Sequence, residues 1–147
     1  AKNKFNLILH PGAKTAKADC WSIENYKKLI DSLDPNLFQI FISGLKHERE
    51  EFSELLSQEG VIDLMGTMNL ATYFNFLHYI DGLVAGSTGP LHLACAQNKY
   101  VLGLYGPKLK DTKRWGPIGS KSSVLSNKIG INAITVKQVQ DKLQTWL

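Results

Sequence analysis

Cysteine is scarce: Cys20 and Cys95 are the only two in 147 residues. They are far apart and form no Cys-x-x-Cys pair, which excludes a disulfide scaffold and a zinc knuckle. Two isolated thiols read as reduced, so the expected compartment is cytoplasmic. Long hydrophobic runs are missing too. Stretches such as Val101–Tyr105 fall far short of the roughly 20 apolar residues that span a bilayer. No secretory leader is evident, and a chain that opens on Ala1 reads as a mature or trimmed piece. The four histidines, His10, His47, His78 and His92, show no metal-ligand spacing. The sequence also lacks a Gly-x-Ser-x-Gly elbow, a Gly-x-Gly-x-x-Gly fingerprint and a Walker lysine motif.

What is present is ordinary globular composition, 44% hydrophobic and 20% charged, in a length that suits one domain over 1–147. The net charge of +4 permits an anionic partner. The cations cluster, with Lys2, Lys4, Lys14 and Lys17 near the start and Lys108, Lys110, Lys113 and Arg114 in one stretch. Each cluster also reads as a plain solvated face.

Strand-like and helix-like segments alternate along the whole chain. Apolar runs at Phe5–Leu9, Phe38–Ile42, Val61–Leu64, Gly82–Ala85 and Val101–Tyr105, with a further one near Ser123–Ser126, predict strands. Between them lie helical patterns: one capped by Ser22, one over Glu48–Ser57, one capped by Asn69, one over Gly89–Gln97, and a last one opened by a Thr135/Gln138 capping box. Strands apolar on both faces, separated by amphipathic helices, predict an α/β fold: a Rossmann-like, three-layer domain with a mostly parallel sheet. Ligands of such sheets bind beyond the carboxyl ends of the strands. That rule selects five loops: His10–Trp21, Ser43–Glu48, Met65–Asn69, Gly86–His92 and Gly106–Lys121.

The strongest motif is Gly86-Ser87-Thr88-Gly89-Pro90-Leu91-His92. Its glycines allow close backbone approach, Thr88 suits an N-cap and Pro90 a first turn. Free N–H groups at the helix start then make a phosphate site, with His92 beside it. The same residues would equally make an ordinary capped core helix. His10-Pro11-Gly12-Ala13-Lys14 with Lys17 is a second phosphate cradle or a solvated loop. Ser43-Gly44 with Glu48 places a carboxylate where it can accept ribose hydroxyls, or where it simply favours a helix start. The loop from Gly106-Pro107 to Arg114-Trp115-Gly116-Pro117 is long enough to suggest function. Its basic residues raise nucleic acid as a third reading, but no nucleic-acid-binding motif accompanies them.

In this order the motifs resemble glycosyltransferase family 9, the heptosyltransferases of lipopolysaccharide core assembly. His10-Pro11-Gly12-Ala13 matches the HPG-type turn. Ser43-Gly44 with Glu48 matches the Gly and acid after the second strand. Leu64-Met65-Gly66 with Thr67 and Met68 matches a Leu-x-Gly segment, and Ser87-Thr88-Gly89-Pro90-Leu91-His92 matches most of a D-[ST]-G-x-x-H hallmark. The resemblance covers nearly the whole chain. It implies the C-terminal, donor-binding half of a two-domain GT-B enzyme, with the acceptor domain absent from this chain.

By that resemblance the donor is a nucleotide-diphosphate sugar, ADP-heptose in the best-known members. Thr88 and Gly89 would present N–H groups to the diphosphate with His92 beside them, and Ser87 would hold the sugar hydroxyls. Glu48 with Gly44 would hold the ribose, and Met65, Gly66, Thr67 and Met68 would line the adenine. His10, Gly12 and Lys14 would complete the site, and Lys17 would stabilise the leaving group. No residue of this half is assigned as catalytic base. The reaction would need no metal or other cofactor. The acceptor would be a glycolipid at the inner face of the cytoplasmic membrane, with peripheral membrane contact through the other domain and no nucleic-acid partner. Two positions depart from the family: Ser87 stands where Asp is frequent, and Asp19 where a Lys is frequent. The alternative is a non-catalytic nucleotide-binding module with a regulatory or scaffold role.

Overall fold

Six strands form one sheet: β1 (Phe5–His10), β2 (Phe38–Ile42), β3 (Val61–Asp63), β4 (Gly82–Ala85), β5 (Tyr100–Tyr105) and β6 (Ser122–Ser126). Their order is β3-β2-β1-β4-β5-β6, and every neighbouring pair is parallel. The order reverses between β1 and β4, so the crevice beyond their carboxyl ends is the place where such a fold takes a ligand. The computed structural model describes residues 4–12, 20–86, 89–106 and 121–147.

The α-helices are α1 (Ile23–Ser32), α2 (Ser53–Leu56), α3 (Leu70–Phe76), α4 (Gly89–Ala96) and α5 (Val136–Gln144). Alternation along each strand decides which helices it meets. Leu7 and Leu9 join Tyr26, Leu29, Leu55, Val139 and Leu143 in one core, beneath α1, α2 and α5. Ile8 and Leu83 join Tyr73, Leu77, Leu91 and Ala94 in the other, beneath α3 and α4. This is the three-layer α/β architecture that the alternation predicts.

The predicted caps form. Ser22 accepts from the Asn25 N–H, Asn69 accepts from the Thr72 N–H, and Thr135 and Gln138 make a reciprocal capping box. Two expectations need correction. Burial on both faces holds for β1, β4 and β5, but the outermost strands leave Ile62 and Val124 exposed. The helix expected over Glu48–Ser57 is instead a 3-10 turn (Lys46–Glu48), irregular turns and the short α2. The reason is local competition. Glu48 turns back to accept from the Leu45 N–H at 2.9 Å, and Arg49 reaches across to Asp63 at 2.6 Å. No side chain caps α2.

Candidate functional site

The strands' carboxyl ends gather residues from four loops. His10 ends β1 and pairs in register with Ala85, the last residue of β4, directly across the switch point. Pro11 and Gly12 follow and are buried. Gly12 has no room for a side chain: a Cβ there would overlap the Glu48 carboxylate, its carboxyl carbon being only 2.7 Å away. A Cβ on Gly44 would press on the same group, at 3.1 Å from Glu48 Oε1, and on the Met65 side chain at 3.0 Å. Two glycines from separate loops therefore cradle one carboxylate. Glu48 uses Oε1 to accept from Leu45, and a carboxylate keeps several further lone-pair sites for a ligand's hydroxyls.

The loop after β3 is held from both sides. Asp63 Oδ1 accepts from the Met65 N–H at 2.9 Å, and Arg49 donates to the Met65 carbonyl at 3.1 Å. The ion pair between Arg49 and Asp63 pulls the Asp63 carboxyl below its ordinary value. The Gly66 N–H goes to the Gly44 carbonyl, and Gly66 adopts φ +71, a left-handed conformation natural to glycine. Met65 itself is 1% exposed, so its side chain forms the floor of this loop, while Thr67 and Met68 are the more accessible members.

On the far side of the switch point, Gly89 opens α4 and His92 lies exposed in its first turn. Among the described residues, a Cβ on Gly89 would meet nothing within 4 Å. Below these loops runs a hydrogen-bonded chain: His10 Nδ1 lies 2.8 Å from Ser43 Oγ, which lies 3.0 Å from the Tyr73 hydroxyl. Burial holds the His10 imidazole down at about 4 and raises Tyr73 to about 12, so both are uncharged at neutral pH.

The described structure thus brings His10, Gly12, Gly44 and Glu48 together, sets Met65, Gly66, Thr67 and Met68 beside them, and puts Gly89 and His92 at the neighbouring strand end. Lys14, Lys17, Asp19, Ser87, Thr88 and the loop over 107–120 lie outside the described residues. Reading the sequence overlooks Arg49, Asp63 and Tyr73. Tyr73 sits on an apolar helical stripe, and its hydroxyl is the one signal of a second role. At the opposite, amino-terminal end of the strands a shallow recess is lined by Asp81, Tyr100, Lys121 and Trp146 among others. The topology gives no reason to expect a ligand there.

Comparison with known proteins agrees with this fold. The model of Glycosyltransferase family 9 (heptosyltransferase) matches residues 1–146. The chain is 25% identical over 121 residues to lipooligosaccharide heptosyltransferase 2 of Haemophilus influenzae, covering 78% of this chain and 34% of that protein. It is 26% identical over 121 residues to lipopolysaccharide heptosyltransferase 2 of Escherichia coli, covering 78% and 34%. Among solved structures, E. coli ADP-heptose lps heptosyltransferase II superposes with TM-score 0.87 at 21% identity, over 99% of this chain and 47% of that one. An E. coli heptosyltransferase solved with ADP superposes with TM-score 0.83 at 23% identity, over 99% and 45%. The chain therefore spans about a third of these curated relatives and under half of these solved chains. With residues 1–146 of its 147 matched by the family model, this chain belongs to glycosyltransferase family 9.

Proposed function

We propose that this chain is the donor-binding half of a glycosyltransferase that takes a nucleotide-diphosphate sugar, ADP-heptose, for transfer onto lipopolysaccharide core or a related surface glycan. The observation that carries the reading is the cradle beyond the carboxyl ends of β1 and β2, where a Cβ on Gly12 would overlap the Glu48 carboxylate and one on Gly44 would press on it. Glu48 is suited to the ribose hydroxyls, with Thr67 and Met68 over the Met65 floor suited to the base. The start of α4 at Gly89, with Ser87, Thr88 and His92, supplies N–H groups and a positive dipole end to the diphosphate. His10 and Lys14 border the same anion.

Chemically, departure of a nucleoside diphosphate builds negative charge on the leaving oxygen. A helix N-terminus and a lysine stabilise that charge as it develops, which is the role proposed for Lys17. On this reading no metal or other cofactor is needed. The glycolipid acceptor and the catalytic base belong to a second domain outside this chain, working at the inner face of the cytoplasmic membrane. The relatives' heptosyltransferase names and a neighbour solved with ADP-2-deoxy-2-fluoro heptose support the choice of donor. Ser87, where the family frequently has Asp, favours a second reading as a nucleotide-binding module without transfer.

Calorimetric titration with ADP, UDP, GDP and ADP-heptose tests the proposal. Gly89→Val introduces branches that meet none of the described residues, so it should leave the fold stable and block the diphosphate, whereas His92→Ala should weaken binding less. Selective ADP binding lost in Gly89→Val is the expected result. Preference for UDP or GDP discards heptose as the donor, and no nucleotide binding by the wild type sinks the reading for this chain.

A further inference from the structure

Ser43 is the one buried polar residue among the described residues, 2% exposed at the end of β2. It joins His10 at the end of β1 to Tyr73 on α3, so the chain of contacts ties together the bases of three loops. The hydrogens in this chain can be counted. Among the described residues, the Tyr73 hydroxyl bonds only to Ser43, and Ser43 Oγ only to His10 and Tyr73. If His10 Nδ1 carried the hydrogen and donated to Ser43, the two hydroxyl hydrogens would have one acceptor position between them. One buried hydroxyl would then go unmet, which is unfavourable. If instead Tyr73 donates to Ser43 and Ser43 donates to Nδ1, both hydroxyl hydrogens are used, and the hydrogen left over is the ring's own, which a ligand can meet. Nδ1 is then an acceptor, and in a neutral imidazole the remaining hydrogen sits on Nε2.

We propose that Ser43 and Tyr73 are positioning residues, which set His10 as a neutral Nε2–H donor to the diphosphate of the bound nucleotide sugar. Both the ligand and the tautomer rest on the donor-site reading above, since either arrangement leaves one hydrogen unmet among the described residues and a ligand acceptor at Nε2 decides between them. His10 lies in register with Ala85, so its donor stands at the strand end beside the turn leading to Gly89. Among the described residues, Nδ1 is the only ring nitrogen of His10 with a hydrogen bond, and Nε2 is left for a ligand. Burial keeps the ring uncharged, so it contributes direction, and the opposing charge comes from the helix end and the lysines.

The test combines long-range proton–nitrogen NMR of histidine-labelled chain with ADP calorimetry at pH 7. The His10 signal is assigned by its loss in His10→Gln. The wild type should show the Nε2–H tautomer. Ser43→Ala should give a tautomer mixture and an ADP affinity about three- to tenfold weaker, the worth of one hydrogen bond. Tyr73→Phe should show a smaller change in the same direction, and Ser43→Thr should restore both readouts. An Nδ1–H tautomer in the wild type overturns the proposal whatever the chain binds. An Nε2–H tautomer that Ser43→Ala leaves unmixed, or unchanged ADP affinity in that variant, overturns the positioning role. The expected tautomer without any ADP binding overturns the donor-site reading and the ligand assigned to His10, and leaves the tautomer assignment standing.

Discussion

Single residues decide what the site tolerates. Gly12 faces the end of a flexible carboxylate and not a rigid wall, so Gly12→Ala pushes Glu48 aside at little structural cost. Stability should change by less than about 1 kcal/mol, while nucleotide affinity falls about tenfold, the scale of a hydrogen bond to a charged group. In a Glu48→Ala background the same substitution should have almost no further effect, which a double-mutant cycle by calorimetry measures. His10 carries the acid sensitivity. Its folded value of about 4 lies below the ordinary 6.5, so between these the unfolded chain binds a proton that the folded chain refuses. The stability held by neutral His10 is fully present above pH 6.5, falls through this window and is gone near pH 4. Its size is on the order of 2 to 3 kcal/mol. Urea midpoints from pH 4 to 7 should therefore fall steeply in the wild type and distinctly less in His10→Gln. The motif glycines and His10 were legible in the sequence, because turn residues after strands have a local signature. Tyr73 was not. Its ring obeys the apolar stripe of α3, and only the folded chain brings its hydroxyl to Ser43.

Elements hold these residues in place through contacts that sequence separation hides. The strands, the caps at Ser22, Asn69 and Thr135, and the sheet class follow from periodicity, since a parallel sheet imposes apolar runs and each helix start imposes a short polar acceptor. The Glu48–Ser57 segment shows where periodicity fails. Its pattern is helical, but Glu48 and Arg49 are drawn to Leu45 and Asp63, and the turns that result set Glu48 against Gly12. Asp63 anchors the next loop in two ways, through Arg49 and through the Met65 N–H. The ion pair is partly exposed and adds little, roughly 0 to 1 kcal/mol. The bond to Met65 adds about 1 kcal/mol. Asp63→Ala should therefore destabilise by about 1 to 2 kcal/mol in urea and loosen Met65–Met68 enough to weaken nucleotide binding. Asp63→Asn keeps an acceptor for Met65 and should retain most of that binding. Equal loss in both variants would place the effect in the ion pair.

At the scale of the whole molecule, the proposed function separates binding from transfer. All four loops of the candidate site hang from the carboxyl ends of one sheet, and the described residues form two cores on the two faces of that sheet. On the proposed reading, donor binding uses groups at this sheet end: the start of α4, the Glu48 carboxylate and the loop over Met65–Met68. Transfer needs more, namely a base to take the acceptor's proton and a surface that holds the acceptor hydroxyl against the sugar carbon, because positioning supplies much of the rate. Among the described site residues, Glu48 is engaged by Leu45 and sits against Gly12, and His10 is a neutral ring tied to Ser43. On the proposed reading both serve the donor, so neither is assigned as that base. The chain spans under half of the solved family members, and the remaining requirement is assigned to sequence that those members carry in addition. The isolated 147-residue chain should therefore bind ADP-heptose without transferring its sugar, as measured with radiolabelled donor and lipopolysaccharide core acceptor. Adding the missing half in trans should restore some transfer if the two parts meet across the site. Transfer by the isolated chain would place the base within it and overturn the division of labour between the two halves.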